Sequence, residues 1–252
     1  MSIVEHWTEV PAEGGTMSIH VAKPSGDGPF PGVLSCHSFI GISDYRLDVS
    51  RRLAAKGYAV VLPDLFHRNG KRLLFPQPAK ENDAVATAAS LSFLRMAIDS
   101  RVAINHLKSQ REVDAARIGV IGFGMGGTVA FVAACTNRDL KAAAIAYSRN
   151  LVPGALSLGR PISPLLMVDD IAAPMLFLSS NGDTSPSPSD VKVLEALMHK
   201  YKKSFEAHVY ESDPPVGHAF MEKDIDQFYH PTASDWGWRH LDAFLERRLQ
   251  GK

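Results

Sequence analysis

The chain carries only two cysteines, Cys36 and Cys135, in 252 residues. A domain of this size builds its core without cross-links, so two reduced thiols are expected rather than a disulfide framework. Excess charge of either sign is also missing. The 27 lysines and arginines balance 27 aspartates and glutamates, which removes the attraction that nucleic acid or an anionic membrane would exploit. No apolar run approaches the roughly 20 residues that span a bilayer, and the opening Met1-Ser2-Ile3-Val4-Glu5-His6 has no basic segment leading into an apolar one. These absences point to a cytoplasmic protein, a monomer or small homo-oligomer, whose partner is a small-molecule substrate rather than nucleic acid or membrane. The ten histidines do not fall into ligand spacings with acids or cysteines, so neither a metal nor a cofactor is expected.

What the chain does have is an alternation. Ile3 to Val10 and Thr16 to Ala22 read as an opening antiparallel pair split by the turn cluster Pro11-Ala12-Glu13-Gly14-Gly15. Short apolar runs then recur at Gly32 to Cys36, Ala59 to Leu62, Ile118 to Ile121, Ala142 to Ala146, Met175 to Leu178 and Phe205 to Tyr210. Between and after them, helical spacing marks Asp44 to Lys56, Asp83 to Lys108, Met125 to Cys135, Asp190 to Tyr201 and Ala233 to Leu249. Strand and helix in turn predict one α/β domain over residues 1–252, with a mostly parallel sheet and helices on both faces. Ligands of such sheets lie beyond the carboxyl ends of the strands. The stretches Pro63 to Asn82 and Leu151 to Ile171 read as surface excursions that shape a pocket.

One of those strand ends carries a motif. Arg117 to Ile121 runs into Gly122-Phe123-Gly124-Met125-Gly126-Gly127 and then into a helix, the context of the G-x-S-x-G nucleophile elbow. The flanking glycines are in place, and the central position is Gly124, which has no nucleophile. Asp183 follows the strand at Met175, and His218 follows the strand at Phe205. Both are in the chain order of an acid and a base that would complete a triad. The same glycines formally match the dinucleotide fingerprint G-x-G-x-x-G. The next strand, however, ends Ala146-Tyr147-Ser148-Arg149 without the acidic residue such a site needs.

These residues, together with Pro31 to His37, the segment Arg51 to Leu65 and Gly217-His218-Ala219-Phe220, make the chain resemble the dienelactone hydrolase family of the α/β-hydrolase fold. The resemblance implies hydrolysis of small lactones or esters, with Asp183 and His218 as acid and base. It also places the backbone N–H groups of Met125 and Phe39 at the two oxyanion-hole positions. Three departures accompany it. The family's elbow cysteine is Gly124, the glutamate that many members place after His37 is Ser38, and the arginine that dienelactone-specific members carry four residues after the base is Glu222.

Several readings of the missing nucleophile follow. His218 backed by Asp183 activates water in the space above Gly124, or Ser38 or Cys36 takes over as a relocated nucleophile. Alternatively the base serves isomerase, cyclase or lyase chemistry, or the pocket binds without turnover. An engineered knock-out is a further reading, against which the accompanying Ser38 counts. His37 reads as a supporting histidine beside the oxyanion loop. Substrate contacts are expected from Phe39-Ile40-Gly41, Phe66 to Asn69, Tyr147 to Arg149 and Phe220-Met221, with Arg68 or Arg149 available to an anionic group. The tryptophans of the last helix, Trp236 and Trp238, read as packing.

Overall fold

The computed structural model describes residues 2–149, 151 and 163–251. Of the predicted excursion from Leu151 to Ile171, residues 152–162 lie outside the described residues. Eight strands form one sheet in the order β1-β2-β4-β3-β5-β6-β7-β8. β1 (Ile3–Ala12) and β2 (Gly15–Pro24) are the antiparallel hairpin, and β2 also pairs antiparallel with β4 (Ala59–Pro63). β3 (Phe30–Cys36), β4, β5 (Val113–Phe123), β6 (Ala142–Ala146), β7 (Met175–Ser180) and β8 (Phe205–Tyr210) are parallel. The hairpin turn is tighter than the sequence suggested. Pro11 stays in the ladder opposite Thr16, which β1 tolerates because an edge strand can leave a missing N–H facing outwards.

The connections cross the sheet twice. β3 leads through α1 (Asp44–Ala55) to β4, and the chain then returns through α2 (Glu81–Ala89) and α3 (Phe93–Ser109) to β5 on the other side of β3. The strand order therefore reverses at β3, and the carboxyl ends of β3 and β5 stand side by side where ligands of such sheets bind. The helix expected from Asp83 to Lys108 is two helices. Ser92 breaks it, its side chain accepting from the N–H of Arg95 at 3.2 Å as a new N-cap.

α4 (Met125–Thr136) follows β5 and is buried from Met125 to Cys135. It is apolar on every side because sheet and helices enclose it. α3, α4 and α5 (Pro188–Lys200) cover one face of the sheet; α1 and α6 (Pro231–Leu245) cover the other with Val49, Leu53, Leu241, Phe244 and Leu245. Trp238 packs in that second core, and the helical path continues beyond α6 as one wider turn over Glu246–Gln250. Among the described residues no helix is long and apolar enough to cross a membrane.

Candidate active site

At the end of β5 the backbone turns at Gly124, with φ 55° and ψ −119°, before α4 begins at Met125. Two of the three elbow glycines are required by contact. A Cβ on Gly122 would come within 2.0 Å of the Gly126 carbonyl oxygen, and one on Gly126 within 2.4 Å of the Cys36 oxygen. Gly124 differs. A Cβ there would meet only His218 Nε2, at 3.7 Å, so only the left-handed backbone favours glycine at that position. The turn is held by Gly124 N–H donating to the Ala146 oxygen at 3.1 Å.

Asp183 and His218 are brought together by loops that are stitched to each other. Gly182 N–H donates to the Val216 oxygen at 2.9 Å, and Ser180 Oγ to the Gly217 oxygen at 3.1 Å. Asp183 Oδ2 then lies 2.8 Å from His218 Nδ1, while its other oxygen accepts from Ser185 N–H. Asp183 is wholly enclosed and the imidazole is 14% exposed. Ala219, directly after the histidine, sits at φ 63°, a conformation that costs a non-glycine residue about 1–3 kcal/mol and is tolerated where the surroundings over-determine it.

Those surroundings come from α1. Ser43 Oγ donates to Asp224, Tyr45 Oη to the Met221 oxygen at 2.5 Å, and the Arg46 guanidinium pairs with Glu222. Arg46 and Glu222 are both buried, and the guanidinium lies over the Phe123 ring at 4.7 Å. Glu222 is therefore engaged by Arg46 even though it borders the cavity, and the Tyr147 hydroxyl lies 3.5 Å from it. The Tyr147 ring stands edge-on to His218, 5.1 Å between centroids.

The imidazole has one further partner. Tyr147, at φ 39°, throws Ser148 and Arg149 back over the elbow, and Arg149 Nε donates to His218 Nε2 at 3.0 Å. A guanidinium cannot accept a hydrogen bond, so Nε2 is the acceptor and the proton of the neutral ring is on Nδ1, facing Asp183. Around this pair lies a cavity of about 250 Å³ whose lining includes Ser38, Phe39, Gly124, Met125, Arg149 and His218. Val85 and Ala88 of α2, with Ala219, Ile225 and Phe228, form its apolar wall. Among the described residues the N–H groups of Phe39 and Met125 donate to no main-chain oxygen.

The other expected residues are placed as follows. Cys36 is fully buried and burial pushes its thiol far up from the ordinary range, so it offers neither a thiolate nor a surface to the cavity. Ser38 borders the cavity with its buried Oγ unbonded, but the partner of His218 Nε2 is Arg149. His37 is a supporting residue: its Nδ1 bonds the Ser38 oxygen at 2.7 Å and its Nε2 accepts from Leu65 N–H at 3.0 Å. Arg68, expected as a ligand for an anion, instead forks onto buried Asp99 at 2.7 and 2.9 Å and ties the long loop to α3. Burial opposes the Asp99 charge, yet bonds from His67 and Arg68 hold its carboxyl below the ordinary value. Phe66, Phe220 and Met221, expected to meet substrate, are core residues. The apolar wall is supplied by Ile225 and Phe228 and by α2, the latter missed because the sequence pattern ran α2 into α3. Among the described residues no three His, Cys, Asp or Glu side chains gather to hold a metal ion.

Comparison with known proteins fits this geometry. The sequence pattern of the Dienelactone hydrolase family matches residues 17–249. A protein of Escherichia coli (strain K12) named "Putative carboxymethylenebutenolidase" is 30% identical over 247 residues, covering 95% of this chain and 86% of the relative. A protein of a Bradyrhizobium species named "Probable 2-oxo-3-(5-oxofuran-2-ylidene)propanoate lactonase" is 28% identical over 251 residues, covering 100% of this chain and 97% of the relative. The crystal structure of a "Putative Dienelactone Hydrolase" from Klebsiella pneumoniae superposes with a TM-score of 0.82 at 26% identity, covering 97% of this chain and 99% of that one. With its fold matched over nearly its whole length and its sequence pattern over residues 17–249, the chain belongs to the dienelactone hydrolase family of α/β-hydrolases.

Proposed function

We propose that the protein hydrolyses a small lactone or ester by general-base activation of water at His218, without a covalent intermediate. The observation that carries this reading is the pairing of an Asp183-oriented imidazole with the open volume over Gly124, where a Cβ would meet only Nε2 at 3.7 Å. A water in that volume gives a proton to His218 Nε2 as its oxygen attacks the carbonyl carbon, and Asp183 stabilises the imidazolium. The carbonyl π electrons move onto oxygen, which the N–H groups of Met125 and Phe39 face. When the tetrahedral species collapses, the acyl–oxygen bond breaks and the imidazolium returns its proton to the leaving alkoxide, yielding acid and alcohol, or a ring-opened hydroxy acid from a lactone. The names of the curated relatives, a carboxymethylenebutenolidase and a lactonase for an oxofuranylidene propanoate, support an unsaturated five-membered lactone as substrate class.

The test is butenolide ring opening by the protein and by His218→Ala, with intact-mass analysis of the protein during turnover. Ring opening that His218→Ala abolishes, with no adduct on the chain, supports direct water attack. An acyl adduct on Ser38 or Cys36, or an unchanged rate in His218→Ala, would refute it.

A further inference from the structure

The contact between Arg149 and His218 is at odds with a base that is ready to act. The lone pair that would take a proton from water is occupied by Arg149 Nε at 3.0 Å, and a guanidinium stays charged at any working pH. The contact is built into the backbone. Tyr147 N–H donates to the Leu178 oxygen at 2.7 Å, and Thr128 Oγ1 donates to the Arg149 oxygen, also at 2.7 Å, so the main chain is pinned while the exposed side chain lies across the cavity. Of the carboxylates in the lining, Glu222 is taken by Arg46, and among the described residues no acidic group pairs with Arg149. Glu81, on the α2 wall, makes no ion pair with it. Gly124 permits the arrangement, since a side chain at that position would extend toward the same Nε2.

We propose that Arg149 is a cap on the His218 base that an anionic group of the substrate lifts, making Arg149 the residue that couples substrate charge to activation. This rests on the general-base reading above and adds its control. A carboxylate entering the cavity offers the guanidinium a charged, bidentate partner in place of one imidazole lone pair. Arg149 moves onto the carboxylate, Nε2 is freed, and water takes its place over Gly124. A neutral ester offers no such exchange and meets a capped base.

The experiment uses a butenolide carrying a carboxymethyl group and the same butenolide with that group as its neutral primary amide, both followed by loss of ring absorbance. The full chain should prefer the acid. Arg149→Met should lower kcat/KM for the acid through KM, and should raise kcat/KM for the amide about three- to tenfold, the cost of breaking one partly exposed hydrogen bond. Arg149→Lys, which keeps the charge, should keep the preference for the acid. A Met variant that slows both substrates by one common factor, or leaves their ratio unchanged, overturns the proposal. A second readout does not depend on turnover. The ¹⁵N resonance of His218 Nε2 should move when succinate is added to the wild-type chain, toward its position in Arg149→Met, and should not move in that variant. A wild-type resonance that ignores saturating succinate overturns the cap. If instead the general-base reading alone is wrong, His218→Ala opens both rings at wild-type rates while the succinate shift persists.

Discussion

Putting a thiol back at the elbow tests whether the surrounding machinery is aligned for chemistry. In Gly124→Cys the new Cβ stands 3.7 Å from His218 Nε2 with no other atom within 4 Å, so one further bond carries the sulfur toward hydrogen-bonding reach of the base. The backbone opposes the change. At φ 55° a non-glycine residue bears about 1–3 kcal/mol of strain, partly offset by about 0.4–1 kcal/mol from a less flexible unfolded chain. A net loss of about 1–2 kcal/mol lowers Tm by about 2–8 °C in a domain of this length. Gly124→Ala should lose the same stability without gaining a nucleophile, which separates the backbone cost from the chemistry. The chemical gain is bounded by what nucleophiles are worth. Deleting one from an optimised triad costs about 10⁶ in turnover and leaves about 10³–10⁴ over water, so a thiol that must displace Arg149 from Nε2 should recover about 10²–10³ of it. The assay is a p-nitrophenyl acetate burst stoichiometric with protein, followed by an acetyl adduct on the introduced thiol in the intact mass. A folded Gly124→Cys protein, as stable as Gly124→Ala, that shows neither burst nor adduct would refute the alignment of His218, Asp183 and the elbow.

The Arg46–Glu222 pair makes a stability prediction: Glu222→Leu leaves a buried guanidinium without its counter-charge and should cost about 3–5 kcal/mol, whereas Arg46→Met with Glu222→Leu should recover most of it, as read from urea midpoints. Recovery failing in the double variant would mean that the pair itself, rather than its broken half, holds the loop after His218. For His37, burial lowers its affinity for a proton below the ordinary value of 6.5, so the unfolded chain binds the extra proton as pH falls through about 6.5 and stability drops with it. Between about pH 7.5 and 5.5 a histidine that stays neutral when folded forfeits about 1.4 kcal/mol. His37→Gln, whose amide oxygen can still accept from Leu65 N–H, should remove that share of the slope. An unchanged slope would show that His37 takes up its proton over the same pH range in the folded and unfolded chain.

The alternation of strands and helices was legible because each parallel strand is buried on both faces and reads as a short apolar run. The meeting of Asp183 and His218 was legible because each lies in the loop that follows a strand, β7 and β8. The contacts that hold the site in shape were not. Arg46 and Glu222 are far apart in sequence, and charged residues at such spacing look like solvated surface until the loop after His218 is laid on α1. The apolar wall was hidden in a helix that Ser92 divides, a cap that periodicity alone passes over. Arg149 was recognised as a cation near the pocket, but its position on Nε2 depends on the left-handed turn at Tyr147, and tyrosine carries no sequence signal for that conformation.

Three glycines of one motif look alike in sequence, and the structure separates them. Gly122 and Gly126 have no room for a Cβ against backbone atoms, so packing alone accounts for them. Gly124 has the room, and families with a triad place their nucleophile there at the price of strain. Glycine there relieves the left-handed turn and, on the proposed reading, also leaves the space beside Nε2 first to the Arg149 guanidinium and then to water. That ordering makes Gly124 and Arg149 one feature: Arg149→Met should speed the neutral amide only while position 124 has no side chain. In a Gly124→Cys background, where the thiol already holds Nε2, the same substitution should leave the amide rate within about twofold of that background, the non-additivity expected of coupled sites. An amide rate that still rises as far as it does beside Gly124 would show that Arg149 does not act on the amide by holding Nε2.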